Sequence, residues 1–327
     1  MSDTHSFFLD PKIGLGCMNL SHAYGVPLEE EAAIKALQAA FEMGYRHFDT
    51  ATLYGAGRNE SLVGKALSDR RNEFFLASKC GMANVDGKKE INGRPENLKK
   101  QCEASLKRLN TDHIDLYYLH RKDPAVAIEE SVGALGDLVK EGKIGGIGLS
   151  EVSAETLRNA HKEHAIAALQ SEYSLWTRNP EIACLEASKE LGTTFVAFSP
   201  VARGYLTGTV KNRSELAQGD IRLNMPRFDD EHYPANLALL NDYKALAKEW
   251  GYSPAQLALA WVLAQGEHVV AIPGTRYVNH MEENLSATSF KLTSEQVSTL
   301  NDVINQGNVS GPRYSAAQQK EIDTEEF

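Results

Sequence analysis

The sequence predicts an α/β fold, a single (β/α)8 TIM barrel with parallel strands spanning residues 1–327. Three observations predict it. Short apolar runs of strand length alternate with longer helical segments along almost the whole chain. Most of those runs are apolar at consecutive positions, as strands covered by helices require. The glycine turn that opens a doubly wound dinucleotide-binding sheet is missing.

The expected strands are Tyr45–Asp49, Phe74–Lys79, Ile114–His120 and Lys143–Ser150, then Ala168–Tyr173, Thr194–Ser199, His268–Ile272 and Ser289–Leu292. Helical patterns lie between them. Glu29–Met43 is rich in Ala and Leu and ends at Gly44, a natural C-cap. Pro95–Leu109 and Pro124–Glu141 each open on a proline, which suits a first helical turn, and the second ends at Gly142. Ser253–Gln265 starts with a serine cap followed by proline. From Asn301 the chain runs into a polar tail. Eight such repeats close into a barrel or open into a doubly wound sheet. The open sheet calls for GxGxxG, but Gly14-x-Gly16, Gly55-x-Gly57 and Gly146-x-Gly148 run on to Asn19, Glu60 and Glu151. Neither GxxxxGK[ST] nor HExxH occurs, and no linker, repeat or low-complexity stretch marks a second domain.

A chain of 327 residues is ample for one large core and within the range of a single α/β barrel. The formal net charge of -10 argues against a nucleic-acid surface, while leaving room for a local basic site for an anionic ligand. Cys17, Cys80, Cys102 and Cys184 fit neither CxxC nor a disulfide framework and read as free thiols. The opening MSDTHSFFLD lacks a basic stretch followed by an apolar one, and no apolar run is long enough to span a membrane. The expected compartment is the cytoplasm.

In such a barrel, functional groups gather at the C-terminal ends of the strands. Those positions hold Asp49 and then Tyr54, followed by Lys79, His120, Ser150, Gln170, Tyr173 and Ser199. An acid, a phenol, a lysine and a histidine on consecutive strand ends can share one cavity. Each also has a plainer reading. Asp49 and Lys79 can be a structural ion pair, and Tyr54 a surface aromatic in a glycine-flanked loop. His120 can be a satisfied strand-end histidine; as a metal ligand it lacks a second His or Cys at ligand spacing, so no metal is expected.

The segments GYRHFDTATLYGAGRNESLVGKAL from Gly44, LASK ending at Lys79, IDLYYLH ending at His120 and GIGLS ending at Ser150 resemble the aldo-keto reductase family. So do LQSEYSLWTR, FSPVARGYLTG and IPGTRYVNHMEENL, in the same order. The GLSE and EYSLWTR wording is similar to the branch of pyridoxal reductases and plant alkaloid-type carbonyl reductases. The resemblance implies an NADPH-dependent reduction of aldehydes or ketones. Its catalytic tetrad falls on Asp49, Tyr54, Lys79 and His120. Tyr54 would protonate the oxygen, Lys79 would ease its ionisation, Asp49 would hold Lys79, and His120 would orient the carbonyl or share its proton.

By the same resemblance, Ser150 and Gln170 would grip the nicotinamide carboxamide, and Phe198 would face the ring where many members have tyrosine. Glu151 replaces the family's usual Asn, which puts that contact in doubt. Ser199, Arg203, Gly204, Leu206 and Gly208 would form a phosphate loop. Gly274, Thr275 and Arg276 lead into a helix start, a natural phosphate site, with Arg276 suited to a 2′-phosphate. His280 stands where other members carry a second arginine, and Glu283 and Asn284 match an adenine-binding pair. Tyr24, Trp176, Arg121 and Met18 would line the pocket of a small-molecule carbonyl substrate, pyridoxal or a generic aldehyde. Val210 to Tyr233 reads as a mobile loop able to fold over cofactor or substrate. Two other readings stay open: a nucleotide-binding regulatory subunit on the same barrel, and a Schiff base on Lys79.

Overall fold

The computed structural model describes residues 6–327, so the first five residues of the opening segment lie outside it. The chain forms β1 (Leu15–Gly16), β2 (His47–Asp49), β3 (Phe75–Cys80), β4 (Met82–Val85), β5 (Lys88–Ile91) and β6 (Ile114–Leu119). It continues with β7 (Ile144–Ser150), β8 (Ile166–Glu172), β9 (Thr194–Phe198) and β10 (Val269–Ile272). Eight of these make one parallel sheet in the order β1-β2-β3-β6-β7-β8-β9-β10, while β4 and β5 pair as a separate antiparallel hairpin. Bridges from Ile13 to Ala271 and from Gly16 to Gly274 join the first strand to the last and close the barrel.

The closing strand is not the expected one. Ser289–Leu292 leaves a 3-10 turn over Ala287–Ser289 and stays outside the sheet. Its Phe290 stacks on Tyr252 with ring centroids 4.0 Å apart, so the run's apolar residues serve the helical layer. The eighth strand is Leu15–Gly16, held between two neighbours by close backbone approach. A Cβ at Gly16 would sit 2.8 Å from the Ile272 carbonyl, and one at Gly14 would sit 2.6 Å from His47 Nδ1. Glycine is needed at Gly16 because two backbones meet, and at Gly14 because the buried His47 ring fills the space.

The helices that cover the sheet are α1 (Ser6–Leu9), α2 (Glu30–Met43), α3 (Arg58–Leu67), α4 (Pro95–Leu109), α5 (Ile128–Lys140) and α6 (Ala154–Glu163). After them come α7 (Cys184–Leu191), α8 (Tyr233–Trp250), α9 (Pro254–Leu263), α10 (Val278–Ser286), α11 (Ser294–Val303) and α12 (Ala316–Gln319). Helix α2 ends at Gly44 in the left-handed region, and α9 has a Ser253–Gln256 capping box. Helix α5 starts at Ile128 rather than Pro124, because Asp123 Oδ1 accepts from Ala125 N (2.9 Å) and holds a turn ahead of it. All four cysteines are buried free thiols. Among the described residues no helix is long and apolar enough to cross a membrane.

The stretch from Val210 to Tyr233 contains three 3-10 turns and is pinned at intervals. Arg222 pairs with Asp220 at 2.7 Å, and Arg227 donates to the Trp176 carbonyl and to Thr177 Oγ1. The tail beyond α11 also packs back onto the barrel, where it meets the ends of β7 and β8.

Candidate active site

Asp49 ends β2, Lys79 lies one residue before the end of β3, His120 follows β6, Ser150 ends β7 and Phe198 ends β9. Parallel registers put Asp49 beside Ala77, Lys79 beside Tyr118 and Ser150 beside Gln170. The strand ends therefore deliver these side chains to one mouth. Tyr54 arrives from the turn after β2, which a buried polar web fixes. Asn59 accepts from Thr50 Oγ1 (2.7 Å) and donates to the Cys17 carbonyl (2.9 Å) and to Ser21 Oγ (2.7 Å). Glu60 accepts from Ser78 Oγ (2.6 Å) and pairs with Arg108 (2.7 Å). Asn59 and Glu60 belong to the segment from Gly44 quoted above, and their role as its scaffold is visible only in three dimensions.

The mouth opens into a cavity of about 690 Å³ whose lining includes Asp49, Tyr54, His120, Ser150, Gln170 and Phe198. Lys79 lies fully buried beneath it. Its ammonium donates to Asp49 Oδ1 and to the Thr50 carbonyl (2.9 Å), and its Nζ is 5.2 Å from the Tyr54 ring centroid. The other Asp49 oxygen accepts from Gln170 Nε2 at 2.8 Å, so both carboxylate oxygens are occupied. The Tyr54 and His120 rings meet edge to face with centroids 5.8 Å apart.

Burial sets the protonation states. It opposes charge on Lys79, but the Asp49 carboxylate and the Tyr54 oxygen outweigh it and leave the ammonium held above its ordinary range. Burial also pushes the Tyr54 phenol up, and the attraction of Lys79 offsets only part of that. Burial, with Arg121 and Lys79 nearby, pushes His120 well below its ordinary value, so its imidazole is neutral. The site thus contains a protonated phenol, a fixed cation and a neutral imidazole.

The remaining expected positions divide. Ser199, Arg203, Gly204, Gly274, Thr275, Arg276, His280, Glu283 and Asn284 line the same cavity, as do Tyr24, Met18 and Arg121. Leu206 is instead in the hydrophobic core, and the Gly208 carbonyl accepts from Lys244 Nζ (3.3 Å) outside the cavity wall. Trp176 is also away from the cavity: it is buried flat against Tyr205 (centroids 4.1 Å) with Phe228 at its edge, because the strap from Val210 folds over it.

Arg203 turns its guanidinium to Glu172 (2.7 Å) and the Tyr314 hydroxyl (3.1 Å). Glu151 points the same way: its Oε1 accepts from Glu172 N (2.8 Å) and from Arg313 (2.7 Å), which also reaches Glu172 (3.0 Å). Burial alone would raise Glu172, but the two guanidiniums hold it down at about 2. Glu151 is therefore a buried anchor for the chain's tail and has no place in the cavity lining.

Arg276 donates to the carbonyls of Val26 (2.7 Å) and Tyr24 and has no carboxylate partner among the described residues. It stands just before the start of α10, where free backbone N–H groups favour an anion. At Gly274 a Cβ would sit 2.7 Å from Asn19 Oδ1 and 3.1 Å from the Gly16 carbonyl, so the chain passes close against β1 here. Asn19, which the sequence reading did not single out, donates to the Gly274 carbonyl (3.2 Å). A cavity lined both by the flat face of Phe198 and by a guanidinium without a carboxylate partner fits a phosphorylated dinucleotide.

The model of the Aldo/keto reductase family matches residues 12–305. A probable aldo-keto reductase of Glycine max is 43% identical over 305 residues, covering 93% of this chain and 88% of the relative. An aldo-keto reductase of Schizosaccharomyces pombe, whose name specifies NADP(+), is 40% identical over 93% of this chain and 91% of its own length. Among solved structures, a glycerol dehydrogenase of Gluconobacter oxydans superposes with a TM-score of 0.84 at 28% identity, covering 93% of this chain and 95% of that one. With a family model spanning most of its length and relatives 40% identical or more over nine-tenths of it, this chain belongs to the aldo-keto reductase family.

Proposed function

We propose that the protein reduces aldehydes or ketones to alcohols with NADPH, and that Tyr54 delivers the proton. The observation that carries this reading is the convergence of Asp49, Tyr54, Lys79 and His120 at a cavity whose lining also includes Arg276. When bound, NADPH supplies a hydride from nicotinamide C4 to the carbonyl carbon. Phe198 offers a face for the nicotinamide ring, and Ser150 and Gln170 stand beside it for the carboxamide. Arg276, Glu283 and Asn284 serve the 2′-phosphate and the adenine end. The carbonyl oxygen sits between Tyr54 and His120. As that oxygen gains negative charge it accepts a proton from the Tyr54 hydroxyl, and the Lys79 ammonium stabilises the phenolate left behind. Asp49 keeps Lys79 charged and in place. His120, neutral, donates a hydrogen bond that orients the carbonyl.

The fixed ammonium also argues against a Schiff base on Lys79, which requires a free neutral amine. The deciding experiment is a fluorescence titration with NADPH and NADH, followed by loss of nicotinamide absorbance against an aldehyde panel that includes pyridoxal. Tight NADPH binding with turnover supports the reductase. Tight binding without turnover shifts the reading to a nucleotide-binding regulatory subunit, and no binding overturns the cofactor assignment.

A further inference from the structure

The cations of the cavity wall are nearly all spoken for. Arg203 is paired with Glu172, Arg222 with Asp220 and Lys89 with Glu321. Arg276 lacks a carboxylate but is accounted for by a 2′-phosphate. Arg121 is not accounted for. It follows His120 directly, lines the cavity and makes no ion pair among the described residues. One corner of its guanidinium is anchored: Nη1 donates to the His120 carbonyl (2.6 Å) and to Ser150 Oγ (3.2 Å). The Nε hydrogen is sealed from water without an acceptor. In a chain with 44 acidic side chains against 34 Lys and Arg, an unpaired guanidinium in a cavity needs a reason.

The acids nearby cannot supply its partner. Asp49 is held by Lys79 and Gln170, and Glu321 by Lys89. The cavity wall also contributes apolar side chains such as Leu53, Met82 and Ile322, beside which a charged contact gains strength. Guanidinium Nη2, also left without a partner among the described residues, can donate a charge-assisted hydrogen bond to an oxygen of a carboxylate or phosphate.

We propose that Arg121 selects carbonyl substrates that carry their own anionic group, a carboxylate or a phosphate ester, a few bonds from the reacting carbonyl. This rests on the reductase reading above and adds its substrate class. The anion docks on Arg121 while the carbonyl lies between Tyr54 and His120. Because Arg121 adjoins His120 in the chain, the anion and the reacting carbonyl are held close together.

The test compares matched pairs with the NADPH-loaded enzyme: 4-oxobutanoate with butanal, 4-carboxybenzaldehyde with its methyl ester, and pyridoxal 5′-phosphate with pyridoxal. Wild type should favour the anionic member in kcat/KM by about 10-fold or more. Arg121→Leu should erase the preference by raising KM for the anionic members about 10-fold more than for their neutral partners. Arg121→Lys should restore part of it. The first two pairs against the third separate carboxylate from phosphate recognition. An equal loss on neutral and anionic members, or no preference in wild type, overturns the proposal and leaves Arg121 as a prop for Ser150. Benzoate titrated onto the enzyme–NADPH complex, read by nicotinamide fluorescence, gives the Arg121 dependence of anion binding without turnover. Failure of every aldehyde despite Arg121-dependent benzoate binding would sink the reductase reading alone.

Discussion

Tyr54 and Lys79 illustrate how a single buried pair sets reactivity. The phenol is held above its ordinary 10.0 by burial, with Lys79 pulling the other way, so it keeps its proton throughout the neutral range. Reduction should therefore not decline through Tyr54 ionisation at any pH below 10.0; a fall in the chemical step near neutrality, measured by single turnover, would point to another acid. Tyr54→Phe keeps the ring against His120 and removes only the hydroxyl. It should cost on the order of 10² to 10⁴ in turnover while leaving NADPH affinity unchanged. Replacing Lys79 is a poorer experiment. It strands the Asp49 carboxylate in a dry site at a cost of about 3–5 kcal/mol, so lost activity would be confounded with lost fold. The positions of Asp49, Lys79 and His120 were legible from strand ends and that of Tyr54 from the loop after one, whereas their grouping as a tetrad came from the resemblance to the family.

At the scale of elements, legibility depended on whether a contact is local. The repeating strands and helices were readable from apolar runs and caps. The two-residue β1 was not, since nothing in Leu15–Gly16 has a period, and the barrel needs it only as a narrow closing seam. The Glu151–Arg313–Glu172–Arg203 web was hidden for a different reason: Glu151 and Arg313 are 162 positions apart, so Glu151 read only as a departure from a family pattern. The web fastens the tail, whose Gln318, Glu321 and Ile322 help wall the cavity. Arg313→Leu should destabilise the protein by about 3–5 kcal/mol, because Glu151 is left buried without a cation; an unchanged urea midpoint would show that the tail is held by other contacts. Arg276 ties the loop at Tyr24 and Val26 to the other side of the cavity. If it also binds the 2′-phosphate, Arg276→Ala should weaken NADPH on the order of 10²-fold and NADH only about threefold. Equal losses in a fluorescence titration would remove the 2′-phosphate assignment.

Across the whole molecule the barrel separates its two ends by chemistry. The mouth collects charge that is paired or available to ligands, while the opposite end is closed by rings. His47 begins β2 there, fully buried, with the edges of Phe8 and Phe75 about it and neither ring nitrogen hydrogen-bonded. Burial, aided by Lys79 and opposed by Asp49, drives it down to about 4 from its ordinary 6.5. The unfolded chain takes up a proton on His47 as pH falls through 6.5, whereas the folded protein refuses it until about 4. Stability is therefore whole above 6.5, erodes across that window and loses nothing more from this group below it. The erosion amounts to about 3 kcal/mol, with buried neutral His120 adding in the same direction. His47→Phe keeps an aromatic ring in the same cage and removes the proton site. Its unfolding free energy, measured by urea titration between neutral pH and pH 4, should fall less steeply than that of the wild type; parallel slopes would mean that acid sensitivity arises from carboxylates at the mouth instead.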